Sequence, residues 1–456
     1  MNYLKLLFDL YLLKNNIKKS PEQIKKMQER KLRKILEYAY RNSVYYRRKF
    51  EACGIMENNI SNVPLERFPT TNKKQLLENF DELVTVPDLK QDEIRRFDEE
   101  ISADRKPFKG RYHIVHSSGS TGKPGYFVYD KQAWNSMLLG IIRAALWDMT
   151  MPQILRFLAK GPRIVYIAAT DGRYGGAMAV GDGIDGLRAS QLFLDIKTPL
   201  SEWVGRINEF KPNMIIGYPS AIKILGELAE NDGIDLNIFR IISCGEPLGA
   251  GLRNYLENVF DTDVINFYGA SESLALGVES SPEEGMILFD DMNVIEVRNG
   301  NMYLTSLYNF SQPLIRYRLT DSLSVKKPDS GSRYPFTKAV GLLGRTDDIL
   351  WFEDKNGKRE FLHPLAVEGI CIEGLLDYQF RQLSKSTFEM LAEISENASE
   401  SELCSKIAKR MEKILDEKGL GYVDFHIVFV EKISPDVITG KKRLVVKNTE
   451  RLEEAG

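Results

Sequence analysis

Cysteine and histidine are scarce in this chain, and neither is arranged to hold a metal. Cys53, Cys244, Cys371 and Cys404 stand far apart with no CxxC pair, and the four histidines form no HxxxH. That is the pattern of reduced thiols in a cytoplasmic protein, with no zinc site of recognisable spacing. An excess of one charge is also missing: a net charge of -2 and a pI near 6.2 leave no nucleic-acid footprint. Apolar Met1 to Leu13 is too short to cross a bilayer, carries Lys5 and Asp9, and lacks a small-residue cleavage site. We expect a packed amphipathic helix there, with peripheral membrane contact as the lesser alternative. Internal repeats and low-complexity segments are not seen.

What is present is enough apolar residue for a large core. With 456 residues and 43% hydrophobic content the chain exceeds what one core organises, so two or more domains are expected. The run from His116 to Pro124 packs three serines, a threonine, two glycines and Lys123 into nine residues. Ser117, Ser118, Ser120 and Thr121 can donate to phosphate oxygens, Gly119 and Gly122 let the main chain approach, and Lys123 can neutralise charge. A P-loop is excluded, because position 117 is serine where that motif needs glycine and position 124 is proline where it needs Ser or Thr. A plain Gly/Ser turn between strands ending at Val115 and starting at Tyr126 remains the simpler alternative.

Residues 1 to about 60 read as helix, with Ser20 and Gln23 forming a capping box and Pro21 in the first turn. Residues 70 to 110 are polar and carry no motif. Beyond the serine-rich run, helical 131 to 149 and apolar 163 to 169 begin an alternation of strands (214–218, 239–245, 263–269) and helices (219–230, 248–259). Such alternation predicts a parallel α/β sheet whose ligands sit beyond the carboxyl ends of the strands. Those ends are Tyr218-Pro219-Ser220, Cys244-Gly245-Glu246-Pro247 and Tyr268-Gly269-Ala270-Ser271-Glu272. Short β-like runs from 286 to 345 suggest a smaller β subdomain. After Gly344-Arg-Thr-Asp-Asp348 the chain reads as a compact α+β tail, with a turn at Asp354 to Gly357, a helix capped by Ser399 and ended by Gly419, and a strand at 425–430.

In this order, Ser117 to Pro124, Gly245 to Pro247, Tyr268 to Glu272, Ile315 to Asp321, Gly344 to Asp348 and Thr439 to Lys441 resemble the adenylate-forming superfamily of acyl-CoA synthetases, adenylation domains and luciferases. The likeness is greatest to its phenylacetate-CoA ligase branch and the capsule-biosynthesis relatives. The resemblance implies an α/β N-terminal domain over 1–346, which binds ATP and the acid, and a small mobile α+β domain over 347–456, with the hinge at Asp347 or Asp348. It implies that ATP and a carboxylate give an acyl-adenylate and pyrophosphate, and that the acyl group then passes to an acceptor, usually coenzyme A. Lys123 and its hydroxyl loop would hold the β- and γ-phosphates, Glu272 a magnesium ion, and Asp321 the ribose hydroxyls. Tyr268 would stack on adenine, with Gly245, Glu246 and Pro247 across the slot and Gly269, Ala270 and Ser271 at its edge. Arg345 matches the arginine before the hinge, and Lys441 the lysine carried to the α-phosphate.

The acyl pocket is expected from Tyr218, Pro219, Ser220, Cys244 and Ala270, with Gly175 to Met178 added, and suits a flat or short acid. His116 and His363 read as structural, and the stretch after Glu272 lacks the Cys and His that some relatives carry, so no structural zinc is expected. The segment 350–364 departs from the branch's pantetheine loop. An amine, a hydroxyl or a carrier-bound thiol is therefore a live alternative acceptor. A kinase-type ATPase and a nucleotide-binding scaffold without turnover are the competing classes. The acid, the pathway and whether the chain forms a homodimer are left open.

Overall fold

The computed structural model describes the chain except residues 1–2, 101–105, 118–123, 171–172, 184–188, 232, 235, 247, 249, 282–283, 299–300, 320, 330, 344–349, 355, 363, 368–369, 371, 396–397, 434–443 and 448–456. Among the described residues no helix is long and apolar enough to cross a membrane.

The lead-in is helical, as α1 (Tyr3–Asn15), α2 (Pro21–Asn42) and α3 (Val44–Glu51). Ser20 and Gln23 close the expected capping box on α2, whose Ile24, Leu32, Ile35 and Leu36 are buried. Three short helices follow: α4 (Lys73–Glu78), α5 (Phe80–Leu83) and α6 (Gln91–Glu99). The hairpin β1 (Tyr112–His116) and β2 (Tyr126–Asp130) then flanks the serine-rich run in antiparallel register, His116 opposite Tyr126.

The α/β layer comprises α7 (Lys131–Ala145), α8 (Met151–Lys160), β3 (Arg163–Ala168), α9 (Gly175–Gly183), β4 (Ser190–Asp195), α10 (Leu200–Phe210), β5 (Met214–Gly217), α11 (Pro219–Glu230), β6 (Arg240–Cys244), α12 (Ala250–Phe260) and β7 (Val264–Ala270). Strands β4, β3, β5, β6 and β7 lie side by side and parallel. Their Ile- and Val-rich runs suit a sheet covered on both faces. Gly217 is required in this sheet, since a Cβ there would sit 2.2 Å from the Ile167 carbonyl oxygen. Helix α7 is fixed by Arg143, whose guanidinium is fully buried against Asp291 at 2.6 Å.

The next segment differs from the separate β subdomain expected over 286–345. It contains β8 (Ser273–Glu279), β9 (Met286–Leu288), β10 (Asn293–Arg298), β11 (Asn301–Ser306), β12 (Tyr317–Leu319), β13 (Ser322–Lys326) and β14 (Lys338–Leu343). Only β10, β11 and β12 form a sheet of their own; β8, β9, β14 and β13 extend the large sheet to nine strands. The reason is the tight return at Ser271-Glu272, which lays β8 antiparallel beside β7 instead of crossing over a helix. Neither β8 nor β4 was anticipated.

The tail is α+β: β15 (Leu350–Glu353), β16 (Arg359–Leu362), α13 (Pro364–Val367), β17 (Leu375–Gln382), β18 (Thr387–Ile394), α14 (Glu400–Lys418), β19 (Asp424–Val430) and β20 (Val445–Lys447). Asp354 organises the β15–β16 turn by accepting from the Asn356 and Lys358 amides, and Ser399 and Gly419 bound α14 as expected. Lys418 lies buried where the tail meets α10. Its ammonium donates to Glu360 at 3.1 Å and to the Thr198 carbonyl at 2.6 Å, while Glu360 accepts from the Leu200 amide.

Burial lowers the Lys418 ammonium to about 8, against the opposing pull of Glu360. Between about 8 and the ordinary 10.5 the folded chain binds fewer protons than the unfolded one. Stability therefore rises with pH across that window. Lys418→Met should abolish this rise and, by stranding the Glu360 carboxylate, cost about 3–5 kcal/mol. Guanidinium unfolding of both proteins at pH values spanning the window measures both effects; matching midpoints and slopes would contradict the assignment.

Candidate active site

The β1–β2 hairpin is closed at its base by one residue. The Ser117 amide donates to the Gly125 carbonyl at 2.9 Å, and the Gly125 amide returns a bond to the Ser117 hydroxyl at 2.8 Å. Ser117 thus shapes the mouth of the loop. Ser118, Gly119, Ser120, Thr121, Gly122 and Lys123 lie outside the described residues.

Two contacts tie this hairpin to the β7–β8 return. The Tyr129 hydroxyl donates to the Ser271 carbonyl at 3.0 Å, and the Ser271 hydroxyl donates to the His116 carbonyl at 3.3 Å. The His116 ring is a brace, as expected: Nε2 accepts from the Arg173 amide at 3.0 Å, which leaves the proton on Nδ1 to reach the Ser117 carbonyl at 3.1 Å. Two motifs about 150 residues apart, near 116 and 271, therefore share one rigid corner.

At that corner Tyr268 points its hydroxyl to Asp321 at 2.9 Å, joining the end of β7 to the connection between β12 and β13. Burial first, and then the Asp321 charge, push the Tyr268 phenol well above its ordinary value, so it donates and does not ionise. Among the described residues Tyr268 donates to Asp321 through Oδ2. Glu272 faces the same space, with its carboxyl pushed up to about 7; burial is the main cause, and the Asp321 charge adds to it. The Lys73 charge and the Tyr317 hydroxyl act in the opposite direction. An acid held this way is a carboxylate short of positive charge, which suits it to receive a hard cation.

Lys73 and Tyr317 received no role from the sequence. Thr71 pairs with β12 through its amide to the Arg316 carbonyl at 3.1 Å and through the Arg318 amide at 2.8 Å. Asn72 then caps α4 in a capping box with Gln75, so Lys73 becomes the first helical residue, close to Glu272. The Asn-Lys-Lys-Gln run was the readable signal in a segment taken to carry no motif.

The slot expected across from Tyr268 is built on Gly245. Its φ is +81°, and a Cβ there would come within 2.5 Å of the Tyr218 ring. The Glu246 carboxylate accepts from the Ser220 amide at 3.2 Å, locking this strand end to the start of α11. Behind the corner opens an apolar cavity of about 240 Å³. Tyr218, Cys244, Gly245, Gly269, Ala270 and Ser271 line it at the corner. Pro219 and Ser220 are outside its lining, because the chain turns into α11 at Pro219. Burial first, and then the Glu246 charge, raise the Cys244 thiol to about 12, so it is a neutral wall residue. Pro247, Arg345, Asp347, Asp348 and Lys441 lie outside the described residues. No group of three or more metal-ligating side chains occurs among the described residues.

No family model matches the chain. Over 380 residues it is 25% identical to a phenylacetate-coenzyme A ligase of Aromatoleum evansii, covering 77% of this chain and 76% of that one. Over 258 residues it is 25% identical to the CapK protein of Staphylococcus aureus, covering 55% of this chain and 56% of that one. A 2-hydroxyisobutyryl-CoA ligase crystallised with 2-HIB-AMP and CoA in the thioesterification state shares the fold, with a TM-score of 0.59 at 20% identity, covering 95% of this chain and 91% of that one. With the ordered motifs, the shared corner and these likenesses in hand, the chain is similar to the phenylacetate-coenzyme A ligases over about three quarters of its length and shares the fold of an acyl-CoA ligase.

Proposed function

We propose that this protein is an ATP-dependent ligase that joins a carboxylic acid to AMP, releasing pyrophosphate, and passes the acyl group to coenzyme A. The observation that carries this reading is the shared corner: Tyr268, Asp321 and Glu272 converge where the phosphate hairpin is tied down and an apolar cavity opens. A nucleotide there would have its ribose at Asp321, its phosphates toward the hairpin, and the acid in the cavity.

The chemistry asks little of a base. The attacking carboxylate is already ionised at neutral pH, so the work is to align two anions and to stabilise charge at the α-phosphate. Asp321, oriented by Tyr268, accepts the ribose hydroxyls. Adenine lies between Tyr268 and the strand end Gly245-Glu246-Pro247, with Gly269, Ala270 and Ser271 along its edge. The amides and hydroxyls of Ser117 to Thr121, Gly122 and Lys123 receive the β- and γ-phosphates. Glu272 holds magnesium, which when bound offsets charge on the phosphates. Arg345 precedes a hinge at Asp347 or Asp348, between a nucleotide-binding domain over 1–346 and a mobile domain over 347–456, and Lys441 arrives on that mobile domain. One feature favours a second acceptor class, an amine, hydroxyl or carrier thiol: the tight β15–β16 hairpin directly after the hinge.

Asp321→Ala should weaken ATP binding by roughly 10- to 100-fold, the loss of charge-assisted bonds to two hydroxyls. Calorimetric titration with ATP checks it, and an unchanged affinity would remove the ribose role.

A further inference from the structure

The cavity reaches much farther than a short acid needs. Its floor is one face of the sheet, with Ile164 and Tyr166 in β3 and Pro162 just before it, and Met214 and Ile216 in β5 and Tyr218 just after it. Alternate residues point to the same face, so these rows run continuously along the strands. Tyr166 is four residue steps from Pro162, and Tyr218 four from Met214, which at about 3.3 Å per step makes the trough about 13 Å long. The roof is α7, α8 and the first turns of α9. Gly175 and Gly176 admit that roof: a Cβ on the first would meet Leu274 at 2.2 Å and on the second the Tyr166 hydroxyl at 2.3 Å.

The lining is mostly apolar along this length, its polar side chains being Tyr166, Tyr174, Tyr218, Ser271 and Cys244. No charged side chain is among the described lining residues, and the Cys244 thiol is neutral. Nothing charged is placed to meet a polar tail. Phe157 and Leu158 of α8 line the far end. Phe157 also stacks on Phe239, with ring centres 5.4 Å apart, and both line an outer groove with Arg156, Lys160 and Lys211. Phe157 therefore lines both the inner trough and the outer groove.

We propose that the acid activated here is a medium-chain fatty acid, its carboxylate at the Gly245–Ser271 corner and its tail extended along β3 and β5 to Phe157. This rests on the adenylation reading and names its substrate class. Each methylene added before the end wall removes apolar surface from water, which should raise kcat/KM about fourfold. Beyond the wall the gain should stop.

The test is pyrophosphate exchange with acetate, hexanoate, octanoate, decanoate, palmitate and phenylacetate, on the wild type, Ala145→Phe and Phe157→Ala. Ala145 lines the deep end, so its enlargement should cut the decanoate-to-hexanoate ratio at least tenfold. Phe157→Ala should raise palmitate relative to decanoate. If either variant fails to fold, judged by its melting curve, the other variant and the wild-type series decide. Exchange that is equally fast with acetate or phenylacetate, with ratios unmoved by the variants, overturns the fatty-acid assignment and leaves adenylation standing. No exchange with any acid, and no ATP-induced rise in melting temperature, overturns the adenylation reading itself.

Discussion

Lys441→Ala should slow acyl-adenylate formation by about 100- to 1,000-fold, the scale of removing one preorganised donor from a developing oxyanion. The same change should leave ATP affinity within about threefold, because the contact proposed for Lys441 would strengthen only as charge builds at the α-phosphate. Stopped-flow release of pyrophosphate, paired with equilibrium ATP binding, separates the two. Transfer of a preformed acyl-adenylate to coenzyme A should survive the substitution if, as proposed, the second half-reaction uses a different orientation of the domain that carries Lys441. A variant that adenylates at the wild-type rate, or one that loses ATP binding in equal measure, would remove Lys441 from the role given to it. Lys442 and Arg443 beside it supply the control, as their alanine variants should change the adenylation rate little if they form a solvated basic turn.

Glu272→Gln should have opposite effects on activity and on stability. Adenylation should fall by about 100-fold and demand more magnesium, because an amide is a poorer ligand for a hard cation than a carboxylate. The ligand-free protein should become more stable. The Glu272 carboxyl sits at about 7, above its ordinary 4.5, chiefly because burial penalises the ion. Between these values the folded chain holds a proton that the unfolded chain has lost, so stability declines as pH rises through that window. Glutamine removes the decline, and at pH 8 it should add about 1–3 kcal/mol. Melting temperatures of both proteins at pH 4.5 and pH 8, without nucleotide or metal, measure this. A variant no more stable than the wild type at the higher pH would show that Glu272 is not held at a cost in the empty site.

Local signals carried much of the architecture. Ser20 with Gln23, Ser399 and Gly419 bound their helices through bonds within four residues, so the sequence contained everything needed to read them. The serine-rich run lies between two strands because Val115 and Phe127 pair across it. Other features depended on distant partners. The extension of the sheet by β8, β9, β14 and β13 follows from the return at Ser271-Glu272, whose direction no local pattern announces. The Lys73 charge acts on Glu272 because Thr71 pairs with β12, some 245 residues later. The depth of the cavity is set by where α7, α8 and α9 settle over the sheet, and motif residues at the strand ends say nothing about it. Strand-end motifs therefore locate a reacting centre better than they measure the pocket behind it.

The reaction can be followed atom by atom. With an acid labelled by heavy oxygen in its carboxylate, attack at the α-phosphate forms a carbon–oxygen–phosphorus bridge and expels pyrophosphate, and release of the acyl group leaves one labelled oxygen on AMP. Mass spectrometry of the products should find label in AMP beside unlabelled pyrophosphate. Label in inorganic phosphate, with ADP as the nucleotide product, would mean attack at the terminal phosphoryl group and would contradict the account.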